Sequence, residues 1–263
     1  MKLLSLFSKK LLLGSAVSLA SFLCASHLPA AAQVGVSPLV IEERAVQGRS
    51  QGVITLTNSK SEPIRVRVFA EPFTYGVDGF TELAESPADL SNYLQFSPRE
   101  VVIPAGEEQR IRLLTLFPPD LAPGEYRAII FAEELTETPN FIDNVAVNIR
   151  IGTTVYVHNG ELSGELSTVS AQSVAEESQI QMRLQNEGLS TVRVTTDWQL
   201  YAAEREVASG TVPVHTVIAE GERQIPIALP EALPAGTYTL KGNFSWRTLG
   251  EENTRDFEVP VVL

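Results

Sequence analysis

Short stretches in which apolar and polar residues alternate recur along the whole chain. The clearest lies near the midpoint, at 144–157, where alternate positions are apolar and the intervening ones begin with Ala146, Asn148 and Arg150. A period of two with β-branched residues is typical of a strand with one buried face, whereas a helix needs a period of about 3.6. The pattern therefore predicts a strand whose apolar face carries Val145, Val147, Ile149 and Ile151.

Similar stretches, each bounded by turn residues, predict strands on both sides of this segment. They fall at 34–41, 53–57, 64–69, 93–103, 108–114 and 125–132 before it, and at 179–184, 191–201, 207–214, 222–227, 237–246 and 257–263 after it. Pro38 marks the first as an edge or bulged strand, because proline cannot donate to a sheet ladder. About seven short strands with turn signals every 8–12 residues is the pattern of a β-sandwich. No stretch predicts a helix of ordinary length.

The length of 263 residues is sufficient for two such domains. We predict an all-β protein with two immunoglobulin-like β-sandwich domains in tandem, at 33–158 and 159–263. Both halves contain a turn with proline and glycine, Pro123-Gly124 in the first and Pro234-Ala-Gly236 in the second, and in both a tyrosine follows two residues after the glycine, Tyr126 and Tyr238. This shared spacing favours two similar sandwiches.

The first 32 residues predict a secretory signal peptide. Lys2, Lys9 and Lys10 precede an apolar run at 11–23, and 30–32 is a run of three alanines suited to cleavage. The run is short for a membrane span, which favours cleavage over an uncleaved anchor and predicts no stable membrane insertion afterwards. Cys24, the one cysteine, lies within the signal and follows Leu23, which is unlike a lipoprotein signal. The mature chain is therefore predicted to have no disulfide and no zinc–thiolate site.

Charge and motif content exclude several classes of function. The net charge of −12 becomes 17 − 32 = −15 without the three signal lysines, so nucleic-acid binding is not expected. The spacings typical of metal sites, nucleophile elbows and phosphate-binding loops are missing, so we expect no metal, no cofactor and no enzymatic activity. His158 is interpreted as a solvated loop residue, and Trp198 and Trp246 as core residues rather than a carbohydrate platform.

The first half resembles the PapD-like periplasmic chaperones of pilus assembly. The resemblance rests on the order of three motifs, which are Ser-Pro at 97–98, Pro-x-Gly at 104–106 and Gln-x-Ile-Arg at 109–112. A strand from Gly124 that ends in the acidic pair Glu133–Glu134 follows them, as the family's penultimate strand does. The likeness spans residues 34–158, and the second half fits by class.

The resemblance implies a periplasmic location and a function in donor-strand complementation. The last strand of the first domain, 144–157, is then expected to bind exported, incomplete β-rich subunits of the pilin type through Val145, Val147, Ile149 and Ile151. The family also holds the subunit's terminal carboxylate with an arginine and a lysine in the interdomain cleft. The matching positions here lack that pair, and Arg44 and Arg150 are the candidate replacements.

Two alternatives remain open on the sequence alone. The four apolar residues of 144–157 have the same pattern if they face the core of their own domain, because alternation marks a buried face without identifying its partner. The protein also fits an exported structural or adhesive module of two sandwiches at the cell surface.

Overall fold

The computed structural model describes residues 34–135, 140–142, 145–147, 150–174, 178–230 and 233–263. Over these ranges the chain forms twenty β-strands and one short 3-10 helix, Ser91–Tyr93. The prediction of an all-β protein with two immunoglobulin-like sandwiches is confirmed. The predicted signal peptide lies outside the described residues. Among the helical residues that are described, none belongs to a helix of the length and hydropathy that a membrane span requires.

The first sandwich consists of two sheets, with strands numbered in chain order. The first sheet has the order β1 (Val34–Ser37), β3 (Arg49–Asn58), β9 (Glu108–Leu116), β7 (Leu94–Ser97). The second has the order β2 (Val40–Arg44), β13 (Arg150–Asn159), β10 (Gly124–Glu134), β4 (Ile64–Glu71), β8 (Glu100–Ile103). Two hairpins are added, β5 (Phe73–Tyr75) with β6 (Phe80–Glu82) and β11 (Asn140–Ile142) with β12 (Val145–Val147).

Alternation along the strands builds the first core. In β4 the residues Ile64, Val66 and Val68 are buried, while Arg65 and Arg67 on the other parity are exposed. The same rule places Val155 and Val157 of β13 in this core. Each such aliphatic side chain contributes about 1.5–3 kcal/mol when fully buried, so the sheets are held together chiefly by apolar packing.

Pro38 divides the predicted strand 34–41 between the two sheets. β1 pairs antiparallel with β3 before the proline, and β2 pairs parallel with β13 after it. A proline cannot continue a ladder because it has no N–H. Both pieces are edge strands of their sheets, as the sequence predicted.

The second sandwich has a three-stranded and a four-stranded sheet. Their orders are β14 (Leu166–Val174), β15 (Gln179–Asn186), β18 (Glu222–Ala228) and β17 (Arg205–Val217), β16 (Val192–Ala202), β19 (Thr237–Thr248), β20 (Glu251–Val262). Trp198 and Trp246 are buried in its core, as predicted. The first core is built from residues 41–157 and the second from 166–261. The domain boundary between 158 and 159 stays a prediction.

Candidate partner-binding edge

The candidate donor strand at 144–157 is described as two strands, β12 and β13. β13 pairs with β10 along its whole length, from Arg150 to Asn159. It pairs with β2 only from Thr154 to His158. Within the described part of the chain, the segment 150–153 therefore has a strand neighbour on one side only. We call this segment the open edge.

The backbone of the open edge faces outward at alternate residues. Thr154 donates its N–H to the carbonyl of Leu39 at 3.0 Å, on the side of β2. Residues two apart in a strand direct their N–H and C=O groups to the same neighbour, so Gly152 and Arg150 direct theirs to the side where β2 no longer runs. Such groups form a template on which an extended chain can add a strand.

The hairpin β11–β12 lies between the end of β10 and the start of β13. Ile142 pairs with Val145 and Asn140 with Val147 in antiparallel register. Two apolar positions of the candidate donor strand therefore belong to a hairpin that lies between β10 and β13 in the chain. Of the four residues predicted to be donated, the side chains of Val145 and Val147 and the whole of Ile149 lie outside the described residues.

Ile151 is the one predicted donor residue whose side chain is described. It is partly buried and packs against the first core, on the same parity as Val155 and Val157. The C-terminal end of the predicted donor face, at Ile151, is thus continuous with the core of its own domain. The assignment of all four residues to a partner stays a prediction.

The other face of this sheet meets the second sandwich. Phe73, Ile129, Phe131 and Tyr156 form a buried cluster with Ile218, which the second sandwich contributes. Burial raises the pKa of Tyr156 far above its ordinary value, so its hydroxyl stays protonated at neutral pH. This apolar cluster, on the face of β13 that points away from the first core, therefore forms part of the interface between the two sandwiches. We call this interface the joint.

The two candidate anchors, Arg44 and Arg150, lie far apart. Arg44 is paired in register with His158, eight residues along β13 from Arg150. Eight residues of strand extend about 26 Å at about 3.3 Å each, so one carboxylate cannot bind both arginines. Arg44 Nη1 lies 3.0 Å from Glu161 Oε1, and Arg150 Nη2 lies 2.6 and 2.7 Å from the two carboxylate oxygens of Glu82.

A buried polar network at the joint was not foreseen from the sequence. His158 is fully buried, so its interpretation as a solvated loop residue is wrong. Its Nε2 lies 3.4 Å from Oε2 of Glu125, whose side chain is also fully buried. Glu125 accepts hydrogen bonds from the backbone N–H of Thr191, at 2.6 Å, and from the Thr191 hydroxyl. A buried carboxylate requires such donors, so this network links the two sandwiches specifically.

A second polar contact borders an open cleft between the sandwiches. Arg193 of β16 pairs with Glu42 of β2 and lies over the Tyr156 ring, with Cζ 5.3 Å from its centroid. Desolvation lowers the pKa of Arg193 below its ordinary value. The adjacent cavity, about 770 Å³, is lined by both these residues, Glu43 and Trp246 among others. Among the described residues, no group of three or more His, Cys, Asp and Glu side chains converges to hold a metal.

Comparison with solved structures places this geometry in a known fold. No protein-family model matches the chain, and no curated protein matches it significantly in sequence. The YadV chaperone is similar with a TM-score of 0.53 at 12% identity, over 87% of this chain and 100% of that one. The class 5 fimbriae chaperone CfaA has a TM-score of 0.52 at 13% identity, over 86% and 98%.

A further similarity is to a structure of a chaperone bound to a pilus subunit. It is the CsuC–CsuE chaperone–tip adhesion subunit pre-assembly complex from the archaic chaperone–usher Csu pili of Acinetobacter baumannii. The TM-score is 0.51 at 14% identity, over 88% of this chain and 98% of that chain. The resemblance seen in the sequence is thereby confirmed at the level of the fold. This chain has the two-sandwich fold of the fimbrial chaperones.

Proposed function

We propose that this protein is a periplasmic chaperone, without enzymatic activity, that binds incomplete β-rich subunits of the pilin type by donating its strand 144–157. The observation that carries the proposal is the open edge at 150–153, which comes after β12 in the chain and has β10 as its one strand neighbour among the described residues. The fold shared with the fimbrial chaperones supports it.

Energetics indicate that the donated strand needs help from other contacts. Four buried aliphatic side chains contribute at most about 6–12 kcal/mol, at roughly 1.5–3 kcal/mol each. Association costs on the order of 4–15 kcal/mol. The net affinity from the strand alone is therefore modest, and a contact in the interdomain cleft becomes valuable.

Arg44 is the better candidate of the two for that additional contact. It lies at the end of β2 beside His158, where the sandwiches meet, and its partner Glu161 is 90% exposed. An ion pair this exposed contributes at most about 1 kcal/mol, so the carboxylate of a client can replace Glu161 at little cost. Arg150 has more partners and is considered separately below.

The test is affinity purification of the tagged mature chain from its native envelope, followed by mass spectrometry. Wild type is compared with Ile149→Arg, which places a charge on the predicted donor face. Loss of one aliphatic contact predicts at least a tenfold fall in client binding, since it removes about 1.5–3 kcal/mol. Asn148→Arg is the matched control, because it adds the same charge on the opposite parity and is expected to leave binding intact.

The outcomes separate the competing interpretations. A β-rich exported protein that wild type and Asn148→Arg retain and a folded Ile149→Arg loses supports strand donation. Equal recovery with all three chains contradicts it and favours an exported structural module. If Ile149→Arg loses its sheet circular dichroism while Asn148→Arg keeps it, residue 149 belongs to the protein's own core, and the donor assignment fails.

A further inference from the structure

The hairpin β5–β6 is a compact element that lies against the back of β13. Its turn is closed by two backbone hydrogen bonds between Gly76 and Gly79, at 2.8 and 3.2 Å. The ring of Phe73 lies 5.6 Å from that of Phe80 and 5.7 Å from that of Tyr156, centroid to centroid. Phe73 is fully buried, so the hairpin is fixed to the sheet by aromatic packing.

The second sandwich holds the turn of the same hairpin. Arg223 of β18 donates from Nη1 to the carbonyl of Gly76 at 3.2 Å, and its Cζ lies 6.0 Å from the centroid of the Tyr75 ring. The backbone N–H of Gln224 donates to the carbonyl of Val77 at 3.1 Å. The hairpin is thus bound at its turn by one sandwich and at its base by the other.

The base of the hairpin is joined to the first residue of β13. Both carboxylate oxygens of Glu82 lie within 2.7 Å of Nη2 of Arg150. Glu71 is a further carboxylate, 3.8 Å from Nη1, and the guanidinium carbon lies 4.4 Å from the centroid of the Phe131 ring. Arg150 is therefore held by two carboxylates and an aromatic face at the point where the open edge begins.

Because Gly152 has no side chain, the side chains of Ile129 and Phe131 can pack directly on its backbone. A Cβ at this position would lie 2.5 Å from Cδ1 of Ile129 and 3.1 Å from Cδ1 of Phe131. These two side chains therefore lie across the strand itself, between the backbone of Gly152 and the hairpin. The open edge is backed by a packed layer on the face away from the first core.

We propose that the hairpin β5–β6 positions the open edge for its partner, and that Arg150 is the positioning residue through which it acts, by way of Glu82. The biological meaning of this inference rests on the proposed function, since a strand held in one place loses less entropy when a partner pairs with it. Arg150 then serves the donor strand itself rather than a carboxylate of the client.

The size of the effect follows from the exposure of the pair. The side chains of Arg150 and Glu82 are 40% and 35% exposed, so solvent screens the attraction between them. We expect about threefold faster opening of the strand when the ion pair is lost. We expect about fivefold when the contacts of Arg150 with Glu71 and Phe131 are lost as well.

The test is amide hydrogen exchange in the free, full-length mature chain. The reporters are the amides of Ile151 and Thr153, whose parity directs them toward β10. Glu82→Gln removes the ion pair with Glu82, Arg150→Gln removes the contacts with Glu82, Glu71 and Phe131, and the double variant completes a cycle. The exchange rate at both amides should rise about threefold in Glu82→Gln and about fivefold in Arg150→Gln. It should also rise about fivefold in the double variant, because the effects of two residues that act through each other are not additive. Arg247→Gln is the matched control, since it breaks an exposed Arg–Glu pair with Glu252 in the second sandwich.

Unchanged exchange in Arg150→Gln overturns the proposal. So does a double variant whose effect is the product of the two single effects, because Arg150 then does not act through Glu82. Equal acceleration at amides throughout the first sandwich also overturns it, since that result reports general destabilisation. The measurement contains no client, so its failure is distinct from a failure of the capture experiment.

Discussion

Each sandwich has a buried asparagine at the C-terminal end of one strand, and the two asparagines make the same kinds of hydrogen bond. Asn58 ends β3 in the first and Asn186 ends β15 in the second, and both side chains are fully buried. The two N–H groups of each Nδ2 are shared among three backbone carbonyls, and each Oδ1 accepts a hydrogen bond from the backbone of its own turn. The acceptors are Glu62, Ile103 and Pro104 for Asn58, and Ser190, Val217 and Ile218 for Asn186.

A tyrosine corner is the second shared device. The hydroxyl of Tyr126 donates to the carbonyl of Ala122 at 3.1 Å, and that of Tyr238 donates to the carbonyl of Pro234 at 2.8 Å. In both cases the acceptor lies four residues upstream, at the turn that enters the strand. Hydrogen bonds of this kind fix how a strand enters a sandwich.

The sandwiches differ in what surrounds these shared devices. The two-stranded hairpins that the structure describes, β5–β6 and β11–β12, both belong to the first sandwich and both adjoin β13 in the chain or in space. The comparison separates two kinds of feature. The buried asparagines and the tyrosine corners occur in both sandwiches, so we assign them to folding. The two hairpins occur beside β13, the strand on which the proposed function depends.

The largest expected effect tests close packing at a strand glycine in each sandwich. A Cβ at Gly242 would overlap the backbone carbonyl of Asp197, whereas a Cβ at Gly152 would meet the flexible end of Ile129. Gly242→Ala should therefore lower the free energy of unfolding by about 3 kcal/mol, and Gly152→Ala by about 1 kcal/mol. Urea denaturation followed by circular dichroism measures both.

A control separates overlap from the loss of glycine alone. Gly124 lies in a strand of the first sandwich, and a Cβ at this position would have no neighbouring atom within 4 Å, so Gly124→Ala should cost less than either variant. Equal losses for Gly242→Ala and Gly152→Ala would contradict the distinction between a rigid backbone and a mobile side chain.

The next effect tests whether the two asparagines are equivalent. Asn58→Ala and Asn186→Ala each remove the side-chain donor from three backbone carbonyls. One carbonyl of each set keeps a backbone donor, Pro104 from Glu107 and Ile218 from Gly221, so each loss costs about 2–3 kcal/mol of folding free energy. Both tryptophans of the chain lie in the second core, so tryptophan fluorescence reports that sandwich and circular dichroism reports both. Asn186→Ala should shift both signals in urea denaturation, and Asn58→Ala chiefly the circular dichroism.

Asn243→Ala is the control for the asparagine pair, because its Nδ2 donates to Asp256 at an exposed position. It should change the free energy of unfolding by less than about 0.5 kcal/mol. Identical shifts of both signals by Asn58→Ala would show instead that the sandwiches unfold as one unit through the joint at Glu125 and Thr191.

Alternation was sufficient to predict the fold because most strands here have one buried face. It correctly predicted the core of β4, and the missing N–H of Pro38 correctly predicted the edge position of the strands next to it. It did not predict the hairpin β5–β6, because strands of three residues are too short to show a period, and the turn at Asp78-Gly79 was the one signal there.

The buried polar network between the sandwiches could not be predicted from the sequence, for a different reason. Alternation distinguishes two faces of a strand without showing whether the polar face meets water or a second domain. His158 and Glu125 lie on such a face, and their contacts in Ser190 and Thr191 are 32 and 66 residues distant along the chain. The placement of Arg44 and Arg150 about 26 Å apart likewise required the register of β2 on β13.

The smallest expected effect distinguishes the two tyrosine corners. The carbonyl of Ala122 also accepts from Nδ2 of Asn159 at 3.0 Å, so it keeps a donor when Tyr126 loses its hydroxyl. Tyr126→Phe should therefore cost about 0.5 kcal/mol, and Tyr238→Phe about 1 kcal/mol. Thermal unfolding followed by circular dichroism compares the two. Asn159→Ala combined with Tyr126→Phe should raise the loss to at least that of Tyr238→Phe, because Nδ2 of Asn159 also donates to the carbonyl of Leu121. If Tyr126→Phe alone costs as much as Tyr238→Phe, the second donor contributes nothing, and the two corners are equivalent in energy as well as in geometry.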